Sequence, residues 1–322
     1  MIADPSPADA LAIIERVSGS QPGYRRAHAR GIGVRANFTA SGEAAALSIA
    51  EHFQGGKIPC VVRFSNASGN PCAPDRLGPA TGRTQGMAVR FALPSGAAAT
   101  WGAINIPVFP ARTPAEFLAL TEAQAPKASG KPSMIKLIGH IIRHLHILAS
   151  VKAIKAMKPA RSYAGETYHG IHTYYLIDAK GDRKPFRYRW VPAQSAPTLS
   201  PDEAAALPEQ YLPDELRARL GKGPQAWDLI AVLADPGDPL DDPSSLWPAG
   251  RKETTLGRMN LERMHENQKE VEGMVFDPTG VVPGLGLSDD PILRYRSRVY
   301  SESYSRRAGE TRNAQPPKDL GQ

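Results

Sequence analysis

Between Gly31 and Pro107 the chain is written in short apolar runs, "PCVVRFS" at 59–65 and "GMAVRFALP" at 86–94 among them, each stopped by Gly or Pro. Runs this short cannot carry an amphipathic helix, and breakers at both ends are the punctuation of strands. The same pattern returns at 170–192, where two β-rich runs flank a turn signal at Gly181, and again in "AWDLIAVLA" at 226–234. Helical spacing is confined to residues 5–17, with Asp4, Ser6 and Asp9 as capping candidates, to 133–157, and to a last helix through 292–307. Without an internal repeat or a clear linker, this predicts one α+β domain on an antiparallel sheet over residues 1–322. Its core is expected from about 24 to 307, with a polar tail over 308–322.

A chain of 322 residues with 41% hydrophobic content can bury a large core. The net charge of +7 suits phosphates, carboxylates or an anionic cofactor. No fingerprint of a nucleic-acid module accompanies that charge, so no nucleic-acid partner is expected. Cys60 and Cys72 are the only cysteines, which signals neither a disulfide framework nor a structural zinc site. The N-terminus has no basic stretch followed by an apolar one, and a cytoplasmic location is expected.

The segment "SMIKLIGHIIRHLHILASVKAIKAM" (133–157) reads as one helix with Lys, Arg and His interleaved. It allows a basic amphipathic face on a membrane surface, or a metal held by His140 and His144 four residues apart. No acidic partner stands in register, and ordinary surface helices carry such faces, so both readings stay open. No stable membrane insertion is expected.

The segment "DDPILRYRSRVYSESYSRR" (289–307) concentrates arginines and tyrosines. In a helix Arg296 and Tyr300 are neighbours on one face, and a guanidinium beside a phenol favours the phenolate. A phenolate suits ferric iron, and Arg307, two turns further along, could meet a carboxylate. The spacing alone also occurs by chance in many helices.

Its surroundings are more specific. The stretch "FDPTGVVPGLGLSDDPILRYRSRVY" (276–300), with its Pro-Gly and Ser-Asp-Asp positions, resembles the proximal signature of the haem catalase superfamily, in particular its small catalase-related peroxidases. That resemblance implies Tyr300 as the axial ligand of the haem iron, Arg296 as its hydrogen-bonding partner and Arg307 as a propionate-binding residue. His172 in "GIHTYY" and Asp290, six residues before Arg296, match a relay behind the tyrosine. Read without the resemblance, His172 could be a satisfied core histidine and Asp290 a helix N-cap.

Further blocks agree in order. "YRRAHARGIGVRANF" (24–38) resembles the distal segment and implies His28 as the catalytic histidine and Arg25 as a propionate partner. "VVRFSNASG" (61–69) implies Arg63 for a propionate and Ser65 for the distal hydrogen-bond network. "IPVFPARTPAEF" (106–117) implies Phe109 in the distal pocket and Phe117 packed on the haem. "DDPSSLWPAGRKETTLGRMNL" is similar to the family's Trp-Pro segment. Running from about Tyr24 to Arg307, the resemblance implies a catalase-like antiparallel β-barrel with surrounding helices, and haem b as the iron cofactor.

The function so implied is peroxide cleavage, with an anionic proximal ligand and His28 as the proton shuttle. Large catalases usually read N-N-T-P-[IV]-F-F on the distal strand, where this chain reads "AINIPVFPA". Ile104 therefore stands where the first asparagine would, and Asn105 is one place later. Strand alternation points Asn105 to the other face unless a bulge turns it inward, so its catalytic part is conditional. The long N-terminal arm and extended C-terminal region of the large enzymes have no counterpart, which implies a shorter access channel. The expected activity is a haem peroxidase of the oxidative stress response. It would reduce organic hydroperoxides and hydrogen peroxide with a small-molecule reductant, show weak or no catalase activity, and allow a homodimer. Two alternatives are a hydroperoxide-rearranging enzyme resembling allene oxide synthase and a non-enzymatic haem-binding protein; the presence of His28 argues against the second.

Overall fold

In the computed structural model, which describes residues 4–76, 84–126 and 132–310, nine strands make one antiparallel sheet. They are β1 (Gly31–Ala40), β2 (Lys57–Asn66), β3 (Gln85–Ala92), β4 (Ala98–Ile104), β5 (Tyr168–Ile177), β6 (Arg183–Pro192), β7 (Gln225–Leu233), β8 (Glu253–Met264) and β9 (Leu285–Leu287). The strand order is β4-β3-β2-β1-β8-β7-β6-β5-β9. A further pairing, Ile104 of β4 with His169 of β5, closes the first eight strands into a barrel.

Side chains alternate across a strand, and here the alternation sorts two jobs. Val62 and Phe64, Met87 and Val89, and Trp101 and Ala103 point to the barrel interior with Phe38, Trp190 and Trp227. The interior is thereby filled with aromatic and aliphatic side chains, as an eight-stranded barrel requires. The intervening residues, Arg63 and Ser65, Gly86 and Ala88, Gly102 and Ile104, line a cavity on the outer face.

Nine α-helices lie among the described residues: α1 (Pro7–Ser18), α2 (Gly42–Leu47), α3 (Pro114–Ala123), α4 (Met134–Arg143), α5 (Leu148–Ala156), α6 (Pro201–Ala205), α7 (Tyr211–Lys222), α8 (Gln268–Gly273) and α9 (Pro291–Gly309). Helix α1 starts where its sequence signals place it, with the Ser6 hydroxyl accepting from Asp9 N–H at 3.1 Å and Pro7 in the first turn. Helices α1, α3 and α9 pack on one another and cover the outer cavity, through Leu11, Phe117, Leu118, Val299 and Tyr300.

The segment expected as one helix at 133–157 is two. It breaks at His144, whose φ of −130° and ψ of 64° leave helical space, and the two parts meet at 104°. At the break the chain meets α3. The Glu116 carboxylate, which closes the α3 N-terminus by accepting from Arg112 N–H at 2.9 Å, also draws His144 Nδ1 to 3.5 Å and His146 Nε2 to 3.1 Å. His140 stacks on His144 with ring centroids 4.5 Å apart, and the group whose potential ligand atoms lie within 4.8 Å of one another is Glu116, His144 and His146, without His140. The polar tail expected from 308 begins inside α9, and 311–322 lie outside the described residues.

Candidate functional site

Helix α9 opens with Asp290 as N-cap. One carboxylate oxygen accepts from Ile292 and Leu293 N–H at 2.8 and 3.2 Å; the other meets His172 Nδ1 at 2.7 Å. Asp290 is therefore the helix N-cap and, at the same time, the partner of His172. His172 Nε2 lies 3.0 Å from Arg296 Nη1, and Arg296 Nη2 donates to the Tyr300 hydroxyl oxygen. A guanidinium has only donors, so His172 Nε2 must be an acceptor and Nδ1 must carry the hydrogen that goes to Asp290. Burial lowers the His172 pKa against the pull of Asp290, which keeps the imidazole neutral, as that tautomer needs. Burial alone would depress Arg296, but Tyr300 beside it carries its pKa above the ordinary value. An unbroken chain thus runs from a buried carboxylate to a phenol on the cavity wall.

On the barrel side the cavity contains His28, whose Nδ1 is 2.9 Å from the Ser65 hydroxyl. His28 is the one non-glycine residue with positive φ (54°) among the described residues, a strained conformation of the kind that marks functional sites. Gly86 makes room for it, since a Cβ there would lie 2.8 Å from the His28 ring. Burial and the nearby Arg63, Arg296 and Arg25 push the His28 pKa down to about 3. The imidazole is therefore neutral across the physiological range, with Nε2 left over by the Ser65 contact.

Three arginines converge at one end of the cavity. Arg25 Nη1 is 2.5 Å and Arg63 Nε 2.8 Å from the Glu272 carboxylate on α8, while Arg307 donates to the Glu272 and Met274 carbonyls at 2.6 and 3.1 Å. Burial, then crowding by Arg63 and Arg307, drives the Arg25 pKa well below the usual guanidinium range against the pull of Glu272. The three guanidinium groups thus gather around Glu272, two on its carboxylate and one on its backbone carbonyl.

Flat walls complete the shape. On the strand side Gly86, Ala88 and Gly102 line the cavity and present nothing larger than a methyl group. The helical wall supplies Phe117, whose ring packs against Phe109 at 5.1 Å, and both rings line the cavity. A planar apolar molecule with an iron centre and two carboxylates fits this donor set: a phenol for the metal, three arginines for the carboxylates, and stripped strand faces for the plane.

Asn105 is not part of the site. The β3–β4 register is continuous through Gly86↔Ile104, so no bulge turns Asn105 inward and Ile104 faces the cavity. The Asn105 amide instead accepts from Gln85 N–H at 2.8 Å and donates to Glu166 at 3.2 Å. Replacing it with Ala should leave the cavity unchanged yet cost about 1–3 kcal/mol, because a buried N–H loses its acceptor. A urea melt of the variant, with an unshifted midpoint as the contrary result, checks this.

Two residues of the site escaped sequence reasoning. Glu272 sits in a six-residue helix with no motif around it, and its three arginines are distant in sequence. His169, three residues before His172, stands opposite Ile104 and lines the cavity, with its pKa pushed to about 4 by burial and Arg189. Its strand position, two before the cavity-lining Ile171, was the available signal.

Known proteins resemble this chain in sequence and in fold. The family model described as Catalase matches residues 14–317. The chain is 37% identical over 317 residues to a protein named catalase-related peroxidase from Mycolicibacterium paratuberculosis, covering 97% of this chain and 98% of the other. It is 32% identical over 304 residues to one of the same name from Synechococcus elongatus, with 94% and 88% covered. Against a Pseudomonas syringae pv. syringae protein named catalase the identity is 29%, and the chain spans 58% of that longer protein. Among solved structures, a bacterial catalase superposes with a TM-score of 0.79 at 23% identity, over 93% of this chain and 60% of that one. Catalase A from Saccharomyces cerevisiae gives 0.79 at 21%, over 94% and 64%. At these identities the structural likeness speaks to the barrel fold alone.

Proposed function

The chain belongs to the catalase family, and we propose that it is a haem peroxidase, carrying haem b, that reduces organic hydroperoxides as well as hydrogen peroxide with electrons from a small-molecule donor. Among the relatives covered along nearly their whole length, two are named catalase-related peroxidase, which favours this reading over a disproportionating catalase. The observation that carries it is the chain Asp290–His172–Arg296–Tyr300, ending in the same cavity as a neutral His28.

Tyr300 would hold the haem iron, Arg25, Arg63 and Arg307 the propionates, and Phe109 and Phe117 the macrocycle. Haem, when bound, supplies the redox centre at which the peroxide O–O bond is split. The protein's own part is to position and move protons. Arg296 donates to the Tyr300 oxygen and so fixes where that oxygen points, while His172 and Asp290 hold the guanidinium from behind. On the other side, His28 Nε2 takes the proton from the incoming hydroperoxide and returns it to the departing oxygen. Ser65 holds the ring through Nδ1 while this happens. Ile104 offers no hydrogen bond to a second peroxide, so turnover by disproportionation should be weak.

Proton transfer by His28 requires its unprotonated form. With its pKa at about 3 rather than near 6.5, peroxide cleavage should stay flat as pH falls from 8 toward 5 and decline only on approaching 3. Rates of reaction with an alkyl hydroperoxide, measured by rapid mixing across that range, test this; an inflection near 6.5 would contradict it. The wider proposal is tested by the visible spectrum of the purified protein and by alkyl hydroperoxide consumption with and without an electron donor. Consumption that ignores the donor would overturn the peroxidase reading.

A further inference from the structure

Six of the nine large apolar side chains exposed among the described residues lie between 134 and 148: Met134, Ile135, Ile138, Ile142, Leu145 and Leu148. Ile135 and Ile142 are 84% and 67% exposed. Residues 135, 138 and 142 follow helical spacing and form a stripe on α4, whereas His140, half a turn away, is buried toward α3. Apolar side chains concentrated in this way mark an interaction surface rather than the usual scatter of single exposed residues.

The charge around the stripe indicates what covers it. Lys136, Arg143, Lys152, Lys155 and Lys158 are all exposed, and none forms an ion pair with a described residue. No Asp or Glu occurs anywhere from 123 to 165. A second copy docked through a two-fold axis would set this cationic strip against itself, with no acid in the strip to answer it. No single helix among the described residues is long and apolar enough to cross a membrane; α4 and α5 reach that length and composition only together, and the 104° bend between them lets both lie along a surface. An apolar stripe flanked by lysines, on helices bent to lie along a surface, has the chemistry of an interfacial lipid contact.

We propose that α4 and α5 form an arm that binds reversibly to anionic phospholipid, with the stripe at the acyl boundary and the five cations on the headgroups. The arm is tied to the cavity wall through α3, whose Glu116 holds His144 and His146 while its neighbour Phe117 lines the cavity. Binding itself is independent of the peroxidase reading. Only its consequence, that the enzyme meets hydroperoxides where acyl chains carry them, rests on that reading.

The test is co-sedimentation of the full-length protein with vesicles of phosphatidylcholine alone and of equimolar phosphatidylcholine and phosphatidylglycerol. Binding is expected to the anionic vesicles only and should weaken with added salt, each cation contributing roughly fivefold. The double variant I138S/I142S and the triple variant K152Q/K155Q/K158Q should each lower binding by more than ~10-fold. Both should keep the wild-type circular dichroism, since every altered side chain is exposed or at the surface. Equal binding to both vesicle types, or to neither, overturns the proposal. So does a lipid-free dimer, seen by light scattering, that dissociates in I138S/I142S, because a second copy would then occupy the stripe. These readings need no peroxide, so a failed peroxidase assay and a failed lipid contact are told apart.

Discussion

Tyr300→Phe is expected to give a folded protein that no longer retains its haem. Phenylalanine keeps the ring and its packing on α9, but the oxygen on which Arg296 Nη2 ends is gone. Partners behind a metal ligand typically contribute 10–100-fold to affinity, so loss of the ligand itself should weaken haem retention by ~100-fold or more. A buried guanidinium then lacks one acceptor, at a cost of about 1–3 kcal/mol, which a barrel of this size tolerates. Transfer of haem to an apo-globin acceptor, followed in the visible spectrum, measures the effect. A spectrum and transfer rate matching the parent would remove Tyr300 from the iron and dismantle the proximal assignment.

His28→Ala should do the reverse, keeping haem and losing chemistry. None of the haem contacts assigned above depends on the imidazole, so the visible spectrum should indicate full loading. Without Nε2 the group assigned to carry a proton between the peroxide oxygens is gone, and the rate of peroxide cleavage should fall by ~10²–10⁴-fold. Added imidazole should restore part of that rate by entering the space vacated above Gly86. Rapid-mixing rates with hydrogen peroxide and an alkyl hydroperoxide decide it: an undiminished rate would mean that proton transfer runs through another group, with His169 the first candidate in the same cavity.

Local signals carried most of the fold. The strands over 59–65, 86–94, 170–192 and 226–234 were legible because each is a short run between breakers, and the observed β2, β3, β5, β6 and β7 cover them. Helical spacing alone made Arg296 and Tyr300 neighbours on α9, whereas the parts of His172 and Asp290 behind the tyrosine were legible only through the resemblance to the family's proximal signature. What the sequence could not show came from packing across long separations. Apolar spacing runs on through His144, yet the arm breaks there, where the imidazole meets Glu116 of a different helix. Glu272 likewise becomes part of the site because α8 lands beside three arginines drawn from the distal loop, β2 and α9. Asn105 was decided by register, which depends on whether β4 carries a bulge.

The alternation in β2, β3 and β4 has a consequence for how such a molecule tolerates change. Each strand divides its residues between two employers, one set holding the interior together and the other meeting the guest outside. A substitution such as Ile104→Asn alters the guest's surroundings without opening a void among Phe64, Met87 and Trp101, so specificity can drift while the scaffold keeps its footing.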